Sequence, residues 1–227
     1  MPEQQGEFTT EVFDDWSSTD RAEKMASSHD ELLHPLFEYL KFDGESNVLD
    51  IGCGVGAALL RAHRSGAGSV AGLDLSQGMI NKAIQYLPEG SDLQVGSVLS
   101  LPWENGSFTH VITVEALYYI SDPLKAIREI HRVLGDNGHF SMVIEYYTDN
   151  IGTHHWPDSM PMEWTNWSEV QWCDAFATAG FVDVESSRVI REEKPDESAF
   201  ESNKYFPTYE LYKDYLEQGA LWVQGVK

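Results

Sequence analysis

The stretch Asp50-Ile51-Gly52-Cys53-Gly54-Val55-Gly56 leaves few ways to fold the residues around it. An apolar run, Asn47-Val48-Leu49-Asp50-Ile51, leads into it, and small-residue, helix-compatible positions 55–64 follow. Glycine takes positive φ without a Cβ penalty and lets a backbone come close to a neighbour or a ligand. Three glycines at alternate positions between an apolar strand and a helix therefore mark a sharp strand-to-helix turn.

The pattern then repeats. Ser69-Val70-Ala71-Gly72-Leu73 reads as a second strand, and residues 76–87 as a helix capped by Ser76 and stopped by Pro88. Leu93-Gln94-Val95 is a third strand, and residues 108–114 a fourth, apolar enough to be buried on both faces. Residues 122–134 form a helix with Ile127, Ile130, Val133 and Leu134 inward, closed by Gly135, before a fifth strand over 138–145. A helix over 168–179, capped by Ser168 and ended by Gly180, precedes strands over 181–190 and 220–226. Strand and helix alternate from residue 47 to about 190, the signature of a parallel α/β sheet with helices on both faces. Such sheets take ligands at the carboxyl ends of their strands.

Ahead of this block, residues 1–20 are polar with scattered Phe8, Phe13 and Trp16, a loose arm or a short helix. Residues 21–40 read as helix, with Leu32, Leu33, Leu36, Phe37 and Leu40 on one face. Pro35 fits badly inside a helix, so a break is expected within 27–35. The division predicted is an N-terminal helical arm or lid over 1–44 and one ligand-binding domain over 45–227. Residues 146–167 and 191–218 are excursions from that domain on its acceptor side.

Fifteen Lys and Arg stand against 37 Asp and Glu, a formal net charge of −22 spread along the chain. That surface repels phosphate backbones and anionic lipid, which counts against a nucleic-acid or membrane partner. It suits a solubilising surface in a salty cytoplasm, and equally a cationic substrate. Cys53 and Cys173 lie far apart with no CxxC pair, which excludes a disulfide framework. Residues 1–11 are polar and acidic, and no apolar run approaches the roughly 18 residues a bilayer span needs. A cytoplasmic setting is expected.

Asp74 ends the second strand, 18 residues after Gly56. A carboxylate there can accept hydrogen bonds from both hydroxyls of a ribose. It also reads as a simple helix cap in Asp74-Leu75-Ser76. The glycine spacing is GxGxG, not the GxGxxG of dinucleotide folds.

Together, Val48-Leu49-Asp50-Ile51-Gly52-Cys53-Gly54-Val55-Gly56 and Gly72-Leu73-Asp74-Leu75-Ser76-Gln77-Gly78-Met79 resemble the first two motifs of class I S-adenosylmethionine-dependent methyltransferases. Leu101-Pro102-Trp103 through Val114-Glu115-Ala116-Leu117 resembles the segment around their fourth strand. Asp122-Pro123-Leu124 through Leu134-Gly135-Asp136-Asn137-Gly138 resembles the helix and turn before their fifth. The resemblance spans roughly residues 45–190 and points to the small-molecule, quinone-methyltransferase-like branch. It implies a Rossmann-like seven-stranded, mostly parallel sheet with the last strand antiparallel. It implies S-adenosylmethionine as cofactor, S-adenosylhomocysteine as product, no metal, and a small-molecule acceptor, in a monomer or homodimer. By the same resemblance, Gly52, Cys53 and Gly54 lie in the loop against the methionyl part, and Asp50 orients that loop. Asp74 holds the ribose, Leu75 and Met79 line the adenine slot, and Glu115 borders the methionyl end. Many members carry an acid where this chain has Ser97; here the Ser97 hydroxyl or the Val98 N–H takes the adenine edge.

Methyl transfer from a sulfonium asks for alignment, exclusion of water and, for some acceptors, removal of a proton. Tyr118 and Tyr119, then Glu145, Tyr146 and Tyr147, follow the fourth and fifth strands. A loop rich in Trp and Met (Trp156, Met160, Met162, Trp164, Trp167) comes next. These aromatics either wall a hydrophobic or cationic acceptor or pack the core and a lid. His155 and Tyr119 are the candidate catalytic groups, His155 as a general base or else a solvated loop histidine. Trp16 and Met25 are candidate lid residues. Two other readings remain open: a protein that binds the nucleoside without turnover, and a nicotinamide-dependent oxidoreductase.

Overall fold

The computed structural model describes residues 2–160, 162 and 164–227, with side chains described from Thr10 onward. Met1, Pro161, Glu163 and the Phe8 side chain lie outside the described residues. Strands β1 (Asn47–Ile51), β2 (Ser69–Asp74), β3 (Asp92–Val95), β4 (Phe108–Val114), β5 (Leu134–Ile144), β6 (Val182–Val189) and β7 (Ala220–Val226) form one sheet. Their order is β3-β2-β1-β4-β5-β7-β6. β3, β2, β1, β4 and β5 run parallel, and β7 lies antiparallel between β5 and β6. The fold is Rossmann-like, with helices on both faces.

Period-two alternation along the strands decides which helices each face receives. Leu49, Val111, Phe140, Met142 and Val223 point to one side, against α6 (Pro123–Val133) and α7 (Glu169–Ala179). Val48, Val70, Ile112, Val143 and Ala220 point to the other, against α3 (Asp30–Tyr39), α4 (Ala57–Arg64) and α5 (Gln77–Tyr86). Strand order reverses at β1, where the chain moves outward to β3 and then returns to β4. That switch point opens a crevice above the carboxyl ends of β1, β2 and β4.

Of three local expectations, two are met and one needs correction. Of the loose arm and the helix open for residues 1–20, the helix forms, as the 16-residue α1 (Pro2–Ser17). The break expected within 27–35 falls at His29, which ends α2 (Arg21–Ser28) and begins α3, and only Pro35 departs from the reading by lying inside α3. Pro35 removes only the bond to Glu31, an exposed residue whose carbonyl can face water, while Leu32, Leu33 and Leu36 are buried against the sheet. Gly135 does not close α6 ahead of a strand at Gly138. β5 begins at Leu134, and between the pairs Phe108↔Leu134 and His110↔His139 it carries three more residues than β4. A bulge absorbs the glycines that read as a turn, with Asn137 at φ 61°.

The remaining helix, α8 (Tyr209–Gln218), lies in the excursion between β6 and β7. No helix among the described residues is long and apolar enough to cross a membrane.

Candidate functional site

The glycine turn leaves β1 with Gly52 at φ 72°, Gly54 at φ 51° and Gly56 at φ 85°. A Cβ on Gly52 would stand 2.5 Å from the Ala116 Cβ, so the turn packs directly on the segment after β4. A Cβ on Gly54 would meet nothing within 4 Å, so its backbone presents an open face. Gly56 caps α4 in the left-handed conformation, which starts the helix two residues later than the sequence pattern suggests.

Above the turn lies a cleft of about 1050 Å³, its open mouth included. Asp50, Gly52, Cys53, Gly54, Asp74, Leu75, Met79, Val98, Glu115 and Tyr119 all line it. Ser97 does not; its Oγ accepts the Leu99 N–H at 3.2 Å. The arm supplies the other wall through Phe13, Ala22, Met25, Ala26, His29 and Leu33. Met25 thus faces the cleft, while Trp16 stands behind it, packed with Val55, Met79 and Met160.

Among the described residues three carboxylates line this cleft, and each sits differently. Asp74 takes the Gly54 N–H at 2.8 Å on one oxygen and the Ser76 N–H at 2.9 Å on the other. It holds Ser76, the residue that caps α5, against the glycine turn, and each oxygen keeps a lone pair for a guest. Burial raises its pKa, against the pull of those two N–H groups. Asp50 is 4% exposed and accepts no hydrogen bond from the described residues. Burial, and then the Asp74 charge, push its carboxyl well above the ordinary range. A buried acid without a donor is costly unless a bound group supplies one. Glu115, just past β4, accepts the Tyr118 hydroxyl at 2.6 Å and the Glu145 N–H at 2.5 Å. Burial and the neighbouring Glu145 hold its pKa up at about 8.

Cys53 is a buried thiol with its pKa pushed well up by burial, and it fills the tight turn as a small apolar group. His155 does not line the cleft; its Nε2 donates to the Tyr205 carbonyl, and its Nδ1 is buried without a partner. His154 bonds the Thr148 carbonyl at 2.8 Å. Among the described residues no three His, Cys, Asp or Glu side chains gather as a metal site. Most of the aromatics pack on one another: Tyr118 and Trp164 stack at 5.3 Å, and Tyr147 donates to the Gly219 carbonyl at 3.0 Å. Tyr119 and Phe13 are the two whose rings reach the cleft, 5.5 Å apart.

Sequence reasoning missed His29 and Arg191. Arg191 pairs with Glu145 at 2.7 Å and donates to the Ser28 carbonyl at 2.8 Å, joining the end of β5 to the hinge between α2 and α3. Tyr215 of α8 shares the same Glu145 oxygen at 2.6 Å. One signal was available: Arg191 is one of only 15 Lys and Arg, directly after a strand and ahead of two acids.

A glycine-lined turn at the switch point, with a carboxylate on the next strand and a buried acid lacking a donor, defines a nucleoside-binding protein of the Rossmann-like kind. Comparison with known proteins carries this further. A family profile described as "Methyltransferase domain" matches residues 49–142. The methyltransferase solved in complex with the Trm112 methyltransferase activator of Haloferax volcanii is 30% identical. It aligns over 94% of this chain and 96% of its own, with a TM-score of 0.84. Norajmaline N-methyltransferase of Rauvolfia serpentina is 36% identical over 92 residues, 38% of this chain and 32% of that protein, so this chain spans about a third of that relative's length. Geranyl diphosphate C-methyltransferase of Streptomyces coelicolor A3(2), solved with S-adenosyl-L-homocysteine, shares the fold with a TM-score of 0.68. Its identity is 16%, over 92% of this chain and 83% of its own. The chain belongs to the class I S-adenosylmethionine-dependent methyltransferases.

Proposed function

We propose that the protein transfers a methyl group from S-adenosylmethionine to a small-molecule acceptor. The observation that carries the reading is the Asp50 carboxylate, buried beside the glycine turn, open to the cleft and without a donor. An ammonium such as the methionyl amino group would supply what it lacks. The rest of the lining fits the same nucleoside. Asp74 has lone pairs free for a ribose diol, and Gly52 and Gly54 offer bare backbone to the methionyl chain. Leu75, Met79 and Val98 make an apolar slot for adenine, with the Val98 N–H in place of the Ser97 hydroxyl at its edge. The cofactor, when bound, would supply an activated methyl on a sulfonium: an acceptor lone pair bonds to that methyl carbon in line while the C–S electron pair leaves on sulfur.

The protein's part is to bind, orient and keep water out. The arm over residues 1–44 acts as the lid. Tyr119 and Phe13 border the acceptor side, with the 146–167 and 191–218 excursions behind them. His155 serves to hold the Tyr205 segment. The net charge of −22 favours a free small molecule over nucleic acid or membrane, in a cytoplasm where both cysteines stay reduced. The likeness to the Haloferax protein extends the proposal to an activator subunit of the Trm112 kind. Co-expression and co-purification test that part, and an activator missing from the purified fraction removes it.

Calorimetry tests the main reading. S-adenosylhomocysteine should bind and NAD should not. Asp74→Ala should weaken S-adenosylhomocysteine about a hundredfold, since two hydrogen bonds to a charged acceptor go together. A thermal melt confirms that the variant is folded. No heat with S-adenosylhomocysteine on folded protein refutes the assignment.

A further inference from the structure

Resting on the methyltransferase reading, we infer that the acceptor is a primary or secondary amine that enters as an ammonium ion, and that the Glu115 carboxylate anchors it and receives its proton. Among the described residues three acids line the cleft, and no Lys or Arg does. His29, the basic group in the lining, is kept neutral, its pKa lowered to about 4 by burial and the nearby Arg191 charge. Asp50 and Asp74 suit the cofactor's ammonium and ribose. Glu115, expected beside the methionyl end, is the third acid and the one left for an acceptor there.

Its carboxylate is clamped in the cleft wall. Oε2 accepts from Tyr118, whose hydroxyl lies 3.3 Å from that of Tyr119, and Oε1 accepts from the main chain at the end of β5. The backbone at Glu115 takes φ 57°, rare for a residue with a Cβ, and the bond from its N–H to the Val143 carbonyl at 2.9 Å holds it there. Tyr119 and Phe13 place aromatic rings in the same cleft. An ammonium beside a carboxylate and a ring face gains from both. A purely apolar acceptor would make no use of Glu115 and would press that polar group against apolar surface.

The surrounding charges tune the acid. Glu145, just past β5, raises it, while Arg191 and the Tyr118 hydroxyl lower it. Asp50 and Asp74 end β1 and β2, and Tyr215 faces it from α8. Glu145 is occupied by Arg191 and Tyr215, so it does not compete for the guest. Arg21 lies 3.8 Å over the Trp16 ring and does not line the cleft. With burial and Glu145 setting its pKa at about 8, Glu115 lies close enough to an alkylammonium to take its proton. An N–H bond of the ammonium breaks, its electron pair stays on nitrogen, and an O–H bond forms on Glu115. Both partners become neutral, which a water-poor cleft favours. The freed lone pair is the nucleophile.

The experiment uses the full chain saturated with S-adenosylhomocysteine. Propylamine, 2-phenylethylamine and tryptamine are titrated by calorimetry against 1-propanol, 2-phenylethanol and tryptophol, in buffers of different ionisation enthalpy. At least one amine should bind about tenfold or more tightly than its alcohol. It should release about 0.9 proton at pH 7, the protonated share of an acid titrating near 8. Its affinity should climb about tenfold per pH unit and level off near pH 8. Glu115→Gln should abolish both the preference and the proton release. Tyr118→Phe, which keeps the carboxylate, should move the levelling-off point to higher pH, a shift that a merely structural tyrosine would not produce. No amine outbinding its alcohol, or proton release unchanged in E115Q, overturns the inference. If S-adenosylhomocysteine binds in those experiments, the methyltransferase reading stands without it. If S-adenosylhomocysteine fails to bind, both fall.

Discussion

Glu115 also leaves a mark on stability. Its folded-state pKa is about 8, against an ordinary 4.5, so between those values the folded chain holds a proton that the unfolded chain gives up. Stability from this residue therefore falls as pH rises through that window, and Asp50 and Asp74 act in the same direction. His29 and His110 act oppositely. Both have pKa values lowered to about 4 from 6.5, chiefly by burial, so their contribution is lost as pH falls below 6.5. From pH 6.5 to 8 the raised carboxylates dominate. The ligand-free protein should melt at progressively lower temperature across that range, and Glu115→Gln should flatten the slope. An equal slope in the variant would show that the trend comes from elsewhere. At this scale the glycines and Asp74 were legible in sequence, because a bare turn and an acid at a strand end are local chemistry. Glu115 could be placed at the end of β4, but not paired with Tyr118 or the Glu145 N–H, because those partners meet only after β4 and β5 align.

The arm is joined to the domain by particular bonds at element ends. Asp14 of α1 accepts from the Ser76 hydroxyl and, at 3.3 Å, from the Gly78 N–H, so it caps α5 from another helix. Lys82 of α5 reaches back to the Thr19 carbonyl at 2.8 Å and to Glu23 at 2.7 Å. Loss of a helix-capping acceptor typically costs about 1 kcal/mol, more than a surface ion pair contributes. Asp14→Ala should therefore lower stability by about that amount and speed tryptic cleavage at Arg21 and Lys24. S-adenosylhomocysteine should slow cleavage of the wild type. Cleavage rates that match with and without Asp14 would detach α1 from the lid. Sequence periodicity found β1, β4 and β7 at their observed bounds. It failed at β5, whose first residues look like a glycine turn and become strand only because β4 pairs with Leu134 across a bulge.

Over the whole molecule, a net charge of −22 sets like charges against one another in the compact state. Raising KCl from 0.1 M to 1 M shortens the screening length from about 10 Å to about 3 Å. The melting temperature should rise across that range, and one that holds steady or drops would rule out self-repulsion as a limit on stability.

The residue order alone decided the α/β class, the glycine turn, the acid at the end of β2 and the excess negative charge. Each is written in neighbouring residues or in a simple count, and needs no long-range contact. Only the tertiary structure decided which distant groups meet. It brought Arg191 to Glu145 and Ser28, Asp14 to the head of α5, and Phe13 and Tyr119 to one cleft. It also set His155 against the Tyr205 carbonyl, outside that cleft. Those meetings depend on the order in which strands pair and on where α1 to α3 settle. Burial then changes the charge state of the acids it encloses, which their position in the sequence does not reveal.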